Sequence, residues 1–170
     1  MTIKKIAACT AVGLAAVTAA TFALPRNVSG ERHAAINAAP EAVLTLAASN
    51  EGFQTFNPYM TLDPALQVDL FGPASGVGSG FHFDSKDGKG SQTVSGVTAQ
   101  SVTYAIDLGP LGQPTQSISA IATDTGAQVT WRVDADMGFN PVARVMGLFM
   151  DQMMGPTFEL GLENLAKAAA

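Results

Sequence analysis

At 170 residues, 47% of them apolar and only 14% charged, the chain is long enough for one domain with its own core plus a short appendage. Its net charge is −5, or −7 without Lys4 and Lys5 (seven basic against fourteen acidic residues), and no basic patch exists, which argues against nucleic acid as a partner. The single cysteine, Cys9, rules out an internal disulfide.

Residues 1–30 read as a targeting element with its linker, and residues 31–170 as the domain. Lys4 and Lys5 precede nineteen uncharged residues, Ile6 to Leu24, long enough to span a membrane but dominated by alanine and threonine. The strongly apolar residues among them (Ile6, Val12, Leu14, Val17, Phe22, Leu24) supply roughly −2 to −3.5 kcal/mol of insertion free energy. That weak drive suits an uncleaved N-in anchor, the favoured form, or a signal cleaved near Thr21-Phe22-Ala23. Both forms imply export, with the domain membrane-anchored or free in the periplasm or outside the cell, and contact with the membrane through the N-terminal segment.

Pro25 to Gly30 reads as the linker and Arg32 to Asn37 as a first strand, ended by Ala38-Ala39-Pro40. Pro40 and Glu41 open a helix, proline where a missing N–H costs nothing and a carboxylate near the positive end. A second short helix or irregular segment carries Phe53, Phe56, Tyr59 and Met60 as far as Asp63-Pro64. Six strands are then expected, over about 66–71, 79–84, 90–97, 101–108, 114–122 and 126–134. Val102, Tyr104, Ile106 and Leu108 share one face, as do Ala127, Val129, Trp131 and Val133. Asp87-Gly88, Gly109-Pro110 and Thr125-Gly126 mark turns so short that the strands must pair antiparallel.

One long helix closes the chain. Asn140 suits its N-cap and Pro141 its first position, and the run continues to Leu165 across a Gly155-Pro156 pair expected to bend it. Ala143, Gly147, Met150, Met154, Phe158, Gly161 and Leu165 fall on one face, which should meet the sheet. A second stripe, Val142, Met146, Phe149 and Met153, needs cover, for which the Phe53–Met60 segment is the favoured source and a second subunit or a membrane the alternatives.

No residue demands a catalytic role. The Gly72–Gly80 loop leads into Phe81-His82-Phe83, a strand and not the helix a phosphate site needs, so a hairpin loop is the simpler reading. His33 and His82 lack partners at metal-ligand spacing, and no metal or other cofactor is expected. Asp134 and Asp136 suit turn and capping roles, and Asp107 and Arg132 are outward positions that could pair across the sheet. The bulky set of Phe53, Phe56, Tyr59, Met60, Phe81, Phe83, Tyr104, Ile106, Trp131, Met150 and Met154 is different in kind, because it falls on the elements that should face the long helix. With Gly147 and Gly161 leaving volume beside it, this set could line a lipophilic cavity.

Several strings, in order, resemble one family. They are Ile36-Asn37-Ala38-Ala39-Pro40-Glu41, Gly72-Pro73-Ala74-Ser75-Gly76, Val129-Thr130-Trp131, Asn140-Pro141-Val142-Ala143-Arg144, and Met146-Gly147-Leu148-Phe149 through Gly155, Phe158 and Gly161. Over about residues 31–168 the chain resembles the START-like (SRPBCC) helix-grip superfamily, in its polyketide cyclase/dehydrase and lipid-transport branch. The resemblance implies an α+β fold of order β-α-α-β6-α, a curved antiparallel sheet gripping the C-terminal helix around a hydrophobic cavity. It does not fix an activity, since such proteins include lipid carriers, quinone binders and aromatic cyclases. Where relatives carry a W-x-x-W-x-P pattern, this chain has Phe53, Phe56 and Pro58, so the end of its cavity should be shaped differently. The expected function is noncatalytic binding or transport of a lipid, quinone or polyketide-like molecule. The alternatives are a cyclase or dehydratase using Tyr104 or Asp107, and an interaction protein with a filled core.

Overall fold

A computed structural model describes residues 21–170; the start of the apolar leader, with Lys4, Lys5 and Cys9, lies outside the described residues. The chain runs β1 (Asn27–Ile36), α1 (Pro40–Ala48), α2 (Asn50–Phe56), α3 (Pro58–Leu62), β2 (Gln67–Phe71), β3 (Gly80–Ser85), β4 (Gly88–Val97) and β5 (Ser101–Asp107). After a turn of 3-10 helix at Gly109–Leu111 come β6 (Thr115–Thr123), β7 (Gly126–Asp136), α4 (Pro141–Gly147) and α5 (Met150–Ala168). Seven antiparallel strands form one sheet in the order β1-β7-β6-β5-β4-β3-β2, against which the helices pack. This is the α+β helix-grip arrangement that the resemblance implied. No helix among the described residues is long and apolar enough to cross a membrane.

β1 is longer than its sequence pattern. It starts at Asn27, inside the stretch expected as linker, because β7 offers it a partner along its whole length, from Asn27 opposite Asp136 to Ile36 opposite Ala127. Local signals place the helices. Pro40 opens α1; the Ser49 hydroxyl caps α2 by accepting from the Gly52 N–H (3.1 Å); the Asn57 side-chain oxygen caps α3 by accepting from the Tyr59 N–H (3.0 Å). A Cβ at Gly126, where φ is +146°, would strike the Ile36 carbonyl, so this turn beside β1 needs glycine.

The C-terminal segment departs from expectation. It is two helices, interrupted at Leu148–Phe149, and α5 runs on through Pro156. Pro156 and Gln152 both lie on the exposed side, so the carbonyl that Pro156 leaves without its helical partner can be hydrated and the helix need not end there. The Asn140 side chain caps α4, accepting from the N–H groups of Val142 and Ala143 (2.9 and 3.2 Å). α5 lies chiefly on β1, α2 and α3, burying Gly155, Phe158, Gly161, Leu162 and Leu165. Most of the predicted inner stripe faces inward, joined by Gly155 and Leu162.

Candidate functional site

The inner face of the sheet is written by alternation. Register places Phe81, Gln92 and Ile106 in one row and Val94, Tyr104, Gln116 and Val133 in the next, with Val102, Ile118 and Trp131 beyond. All are buried. α2 lowers Phe53 onto this surface, within 5.5 Å of the Phe81 and Tyr104 ring centroids and 5.9 Å of Trp131. Phe56 meets Phe53 at 4.7 Å and Trp131 at 5.8 Å, while α5 stacks Phe158 on Trp131 at 5.2 Å with the planes 9° apart. Such ring pairs add to the area they bury, and together they fill the middle of the grip.

The site residues expected from sequence therefore divide. Phe53, Phe56, Phe81, Tyr104, Ile106 and Trp131 come together in the core. Phe83, Met150 and Met154 are half-buried at its margin. Tyr59 and Met60 stand on the exposed side of α3, 40% and 47% accessible. Burial around the Tyr59 hydroxyl still pushes its pKa up to about 12, with Asp87 adding to the effect. Gly147 is buried away from the ring cluster: a Cβ there would meet Val28 at 3.0 Å and Met137 at 3.2 Å. Gly161, read as leaving space, leaves none, since Trp131 occupies the position a Cβ would take.

Polar groups enter this interior sparingly. The Tyr104 hydroxyl donates to the Ala47 carbonyl (2.8 Å), and burial raises its pKa well above the ordinary phenol value. Trp131 Nε1 donates to the Gln116 side-chain oxygen (3.2 Å). Gln92 is buried on the same face and no protein group bonds its amide, while the Ser79 hydroxyl is wholly buried without a partner. Ser79, Gln92, Asn50 and Tyr104 border one small space of about 10 Å³, room for roughly one water. A larger hollow of about 380 Å³ lies open to solvent over β2, β3 and β4, where Val68, Phe83 and Gly90 meet Asp69, His82, Asp84 and Lys89. Gln92 and Gln116 were missed in sequence although their phase gives them away, since they alternate with Val94 and Ile118 on the inward side.

Elsewhere polar side chains do structural work. Arg32 on β1 donates through Nε to Glu159 (2.9 Å) and through Nη1 to Asp151 (2.6 Å), clasping α5 across Gly155, whose Cβ would overlap the guanidinium. Asp107 accepts from the Gly109 N–H and does not reach Arg132, which pairs with Asp134 (2.6 Å) and Glu31 (3.0 Å). Asp136 holds Arg26 and caps the next turn through the Gly138 N–H. His33 bonds the Thr130 hydroxyl (2.8 Å), and His82 lies against the Phe71 ring on the outer face. Among the described residues no cluster of three His, Cys, Asp or Glu could hold a metal ion.

Known structures share this architecture at low identity. The chain is similar to protein CV1439 from Chromobacterium violaceum (13% identical, TM-score 0.61, covering 84% of this chain and 97% of that one). It is similar to protein SA2116 from Staphylococcus aureus (11% identical, TM-score 0.62, covering 84% and 93%). A third likeness is the di-domain ARO/CYC protein StfQ of the steffimycin biosynthetic pathway (12% identical, TM-score 0.61), where 84% of this chain covers 50% of that one. At these identities the likeness shows the fold alone. No curated protein matches the chain. The profile of the family described as polyketide cyclase/dehydrase and lipid transport matches residues 27–170, from the first residue of β1 to the chain end, and the chain belongs to that family.

Proposed function

We propose that the chain binds a hydrophobic small molecule, such as a lipid, quinone or polyketide-like compound, without transforming it, beneath the first half of the C-terminal helical segment. The observation that carries this reading is the uneven cover over the grip. From Gly155 onward α5 is packed onto the core, whereas Met150 and Met154 are only half-buried and α4 shows most of its surface. The inward face of the sheet also holds two amides, Gln92 and Gln116, which could orient a carbonyl or hydroxyl in an otherwise apolar bed. The small space in the core, about 10 Å³ between α1, α2 and the sheet, is far below the roughly 300 Å³ or more of a small-molecule pocket, so room for a ligand beneath α4 and the start of α5 has to come from their moving outward.

The family and the ARO/CYC neighbours support a hydrophobic-ligand fold and leave the role open. An enzymatic reading through Tyr104 gains little support, because its hydroxyl is committed to Ala47 and held far from ionisation. The reading of an interaction protein with a filled core is favoured by one observation, the ring cluster of Phe53, Phe56, Trp131 and Phe158. Native mass spectrometry of the protein purified from cells separates the two. A co-purifying lipophile lost in Met154→Trp, which would plug the margin, supports binding. No bound lipophile, together with no uptake of a fluorescent fatty acid by the wild type, would leave the filled-core reading standing. Export of the domain, tethered or released near a membrane, is part of the same proposal and rests on Lys4-Lys5 ahead of an uncharged run. Full-length protein found in the cytosolic fraction would refute it.

A further inference from the structure

The largest unpartnered apolar surface surrounds α4. Phe139 and Val142 are 73% and 69% exposed, and Val145, Met146, Leu148, Phe149 and Met153 are exposed with them. A run this greasy on a solvent face marks a contact surface. Its charge pattern is unusual. Between Met137 and Met150 the one charged residue is Arg144, and it is buried, donating to the carbonyls of Gly138 (2.9 Å), Phe22 (2.8 Å) and Leu24 (3.2 Å). The nearest charges around the surface are already paired, Arg26 with Asp136 and Arg32 with Asp151, both at 2.6 Å, and the paired Arg26 lies over the Phe139 ring at the edge of the face, 5.3 Å from its centre.

Arg144 does a second thing: it fixes where the leader meets the domain. Its guanidinium bonds the Phe22 and Leu24 carbonyls and lies 5.4 Å from the centre of the Phe22 ring. Described residues begin at Thr21, so the uncharged stretch that starts at Ile6 joins the domain against the helix that carries the apolar face. We infer that the face formed by Phe139, Val142, Met146, Phe149 and Met153 docks on a lipid bilayer, side by side with the leader. Protein interfaces carry a polar rim that specifies a partner, and this surface presents closed ion pairs around a charge-free centre, which hydrocarbon accepts without complementarity. The leader makes docking intramolecular, so a face of modest affinity is enough. The domain is acidic overall, so the contact should be driven by apolar burial and survive high salt.

The test uses the full chain with Cys9→Ser and one new cysteine carrying a nitrobenzoxadiazole dye. The cysteine is placed at Met146 or, as a control, at Asp124 in the turn between β6 and β7. Reconstituted with phosphatidylcholine vesicles, the Met146 dye should emit to the blue and be quenched several-fold more by nitroxide-labelled lipid than the Asp124 dye, in low and high salt alike. Adding Val142→Glu, an exposed position that leaves the core intact, should remove most of that quenching while the melting temperature stays the same. A dye at Met146 that remains water-like overturns the inference. So does a blue shift without lipid quenching, which would assign the face to a second copy of the chain, another protein or the chain's own residues 6–20.

Discussion

Arg32 reaches from β1 to lie against Gly155 of α5, in the space where any larger residue would put its Cβ. Gly161, six residues further along the same helix, meets the Trp131 ring in the same manner. The two glycines look equivalent and should not behave so. In Gly155→Ala the guanidinium, the free end of a flexible chain, can swing aside. It would give up bonds to the exposed Asp151 and Glu159, against a gain in helix propensity of about 1 kcal/mol, so the net change should stay within about 1 kcal/mol. In Gly161→Ala the obstacle is a fully buried ring that is stacked on Phe158 and bonded to Gln116, and overpacking should cost about 1–3 kcal/mol. Urea unfolding of both variants decides it, and equal tolerance would mean that the Trp131 ring is not locked.

Tyr104→Phe should destabilise the domain by about 1–3 kcal/mol, because it strips the bond from the Ala47 carbonyl at the end of α1, where helix carbonyls lack helical partners. Burial raises the folded pKa of Tyr104 above the ordinary phenol value of about 10, so the stability tied to its neutral form is complete below about pH 10 and is lost as pH rises toward the folded value. Alkaline unfolding should consequently be less steep in Tyr104→Phe. Identical alkaline profiles would show that the phenol does not couple to folding.

Gly147→Leu was attractive from sequence as a cavity plug. With Val28 and Met137 where the new side chain would go, it should instead pry α4 from the ends of β1 and β7 and cost about 1–3 kcal/mol. Denaturant melts read this directly, and unchanged stability would mean that α4 lifts freely.

Asp136 offers a test at acid pH. Its bond to Arg26, helped by the Gly138 N–H, lowers its pKa from 3.8 to about 2. A depressed carboxylate stabilises the fold above its unfolded pKa, and that contribution fades as pH falls from about 4 toward 2. Carbon-detected NMR titration should find Asp136 at the low value and find it restored toward the ordinary range in Arg26→Ala. No difference between the two would mean that the ion pair does not persist in solution.

Periodicity and turn chemistry made most of the fold legible. Val102, Tyr104, Ile106, Trp131 and Val133 alternate cleanly, and Asp87-Gly88 and Thr125-Gly126 mark hairpins that form as read. What stayed hidden depends on contacts between distant segments. Nothing in Gly155-Pro156 says that an arginine from β1 will occupy the glycine's space, so the docking notch there went unread. The interruption at Leu148–Phe149 comes directly after a lone Gly147, a weak signal, because the apolar spacing of three and four residues continues across it. The Phe53–Met60 segment was expected to cover the stripe of Val142, Met146, Phe149 and Met153, and it does not. Phe53 and Phe56 turn onto the sheet, Tyr59 and Met60 fall on a separate helix facing outward, and the stripe stays exposed, which helical phase alone could not say.

The pairing of β1 with β7 has a further consequence, in time and not in space. β2 through β7 form a run in which each strand adds to the one before it, and such neighbours meet quickly. β1 has no partner until the last strand exists, and non-local pairings of this kind set the pace of folding. β1, made before every other strand of the sheet, is therefore among the last to find its place. Until it does, the edge of β7 that β1 will cover stays open.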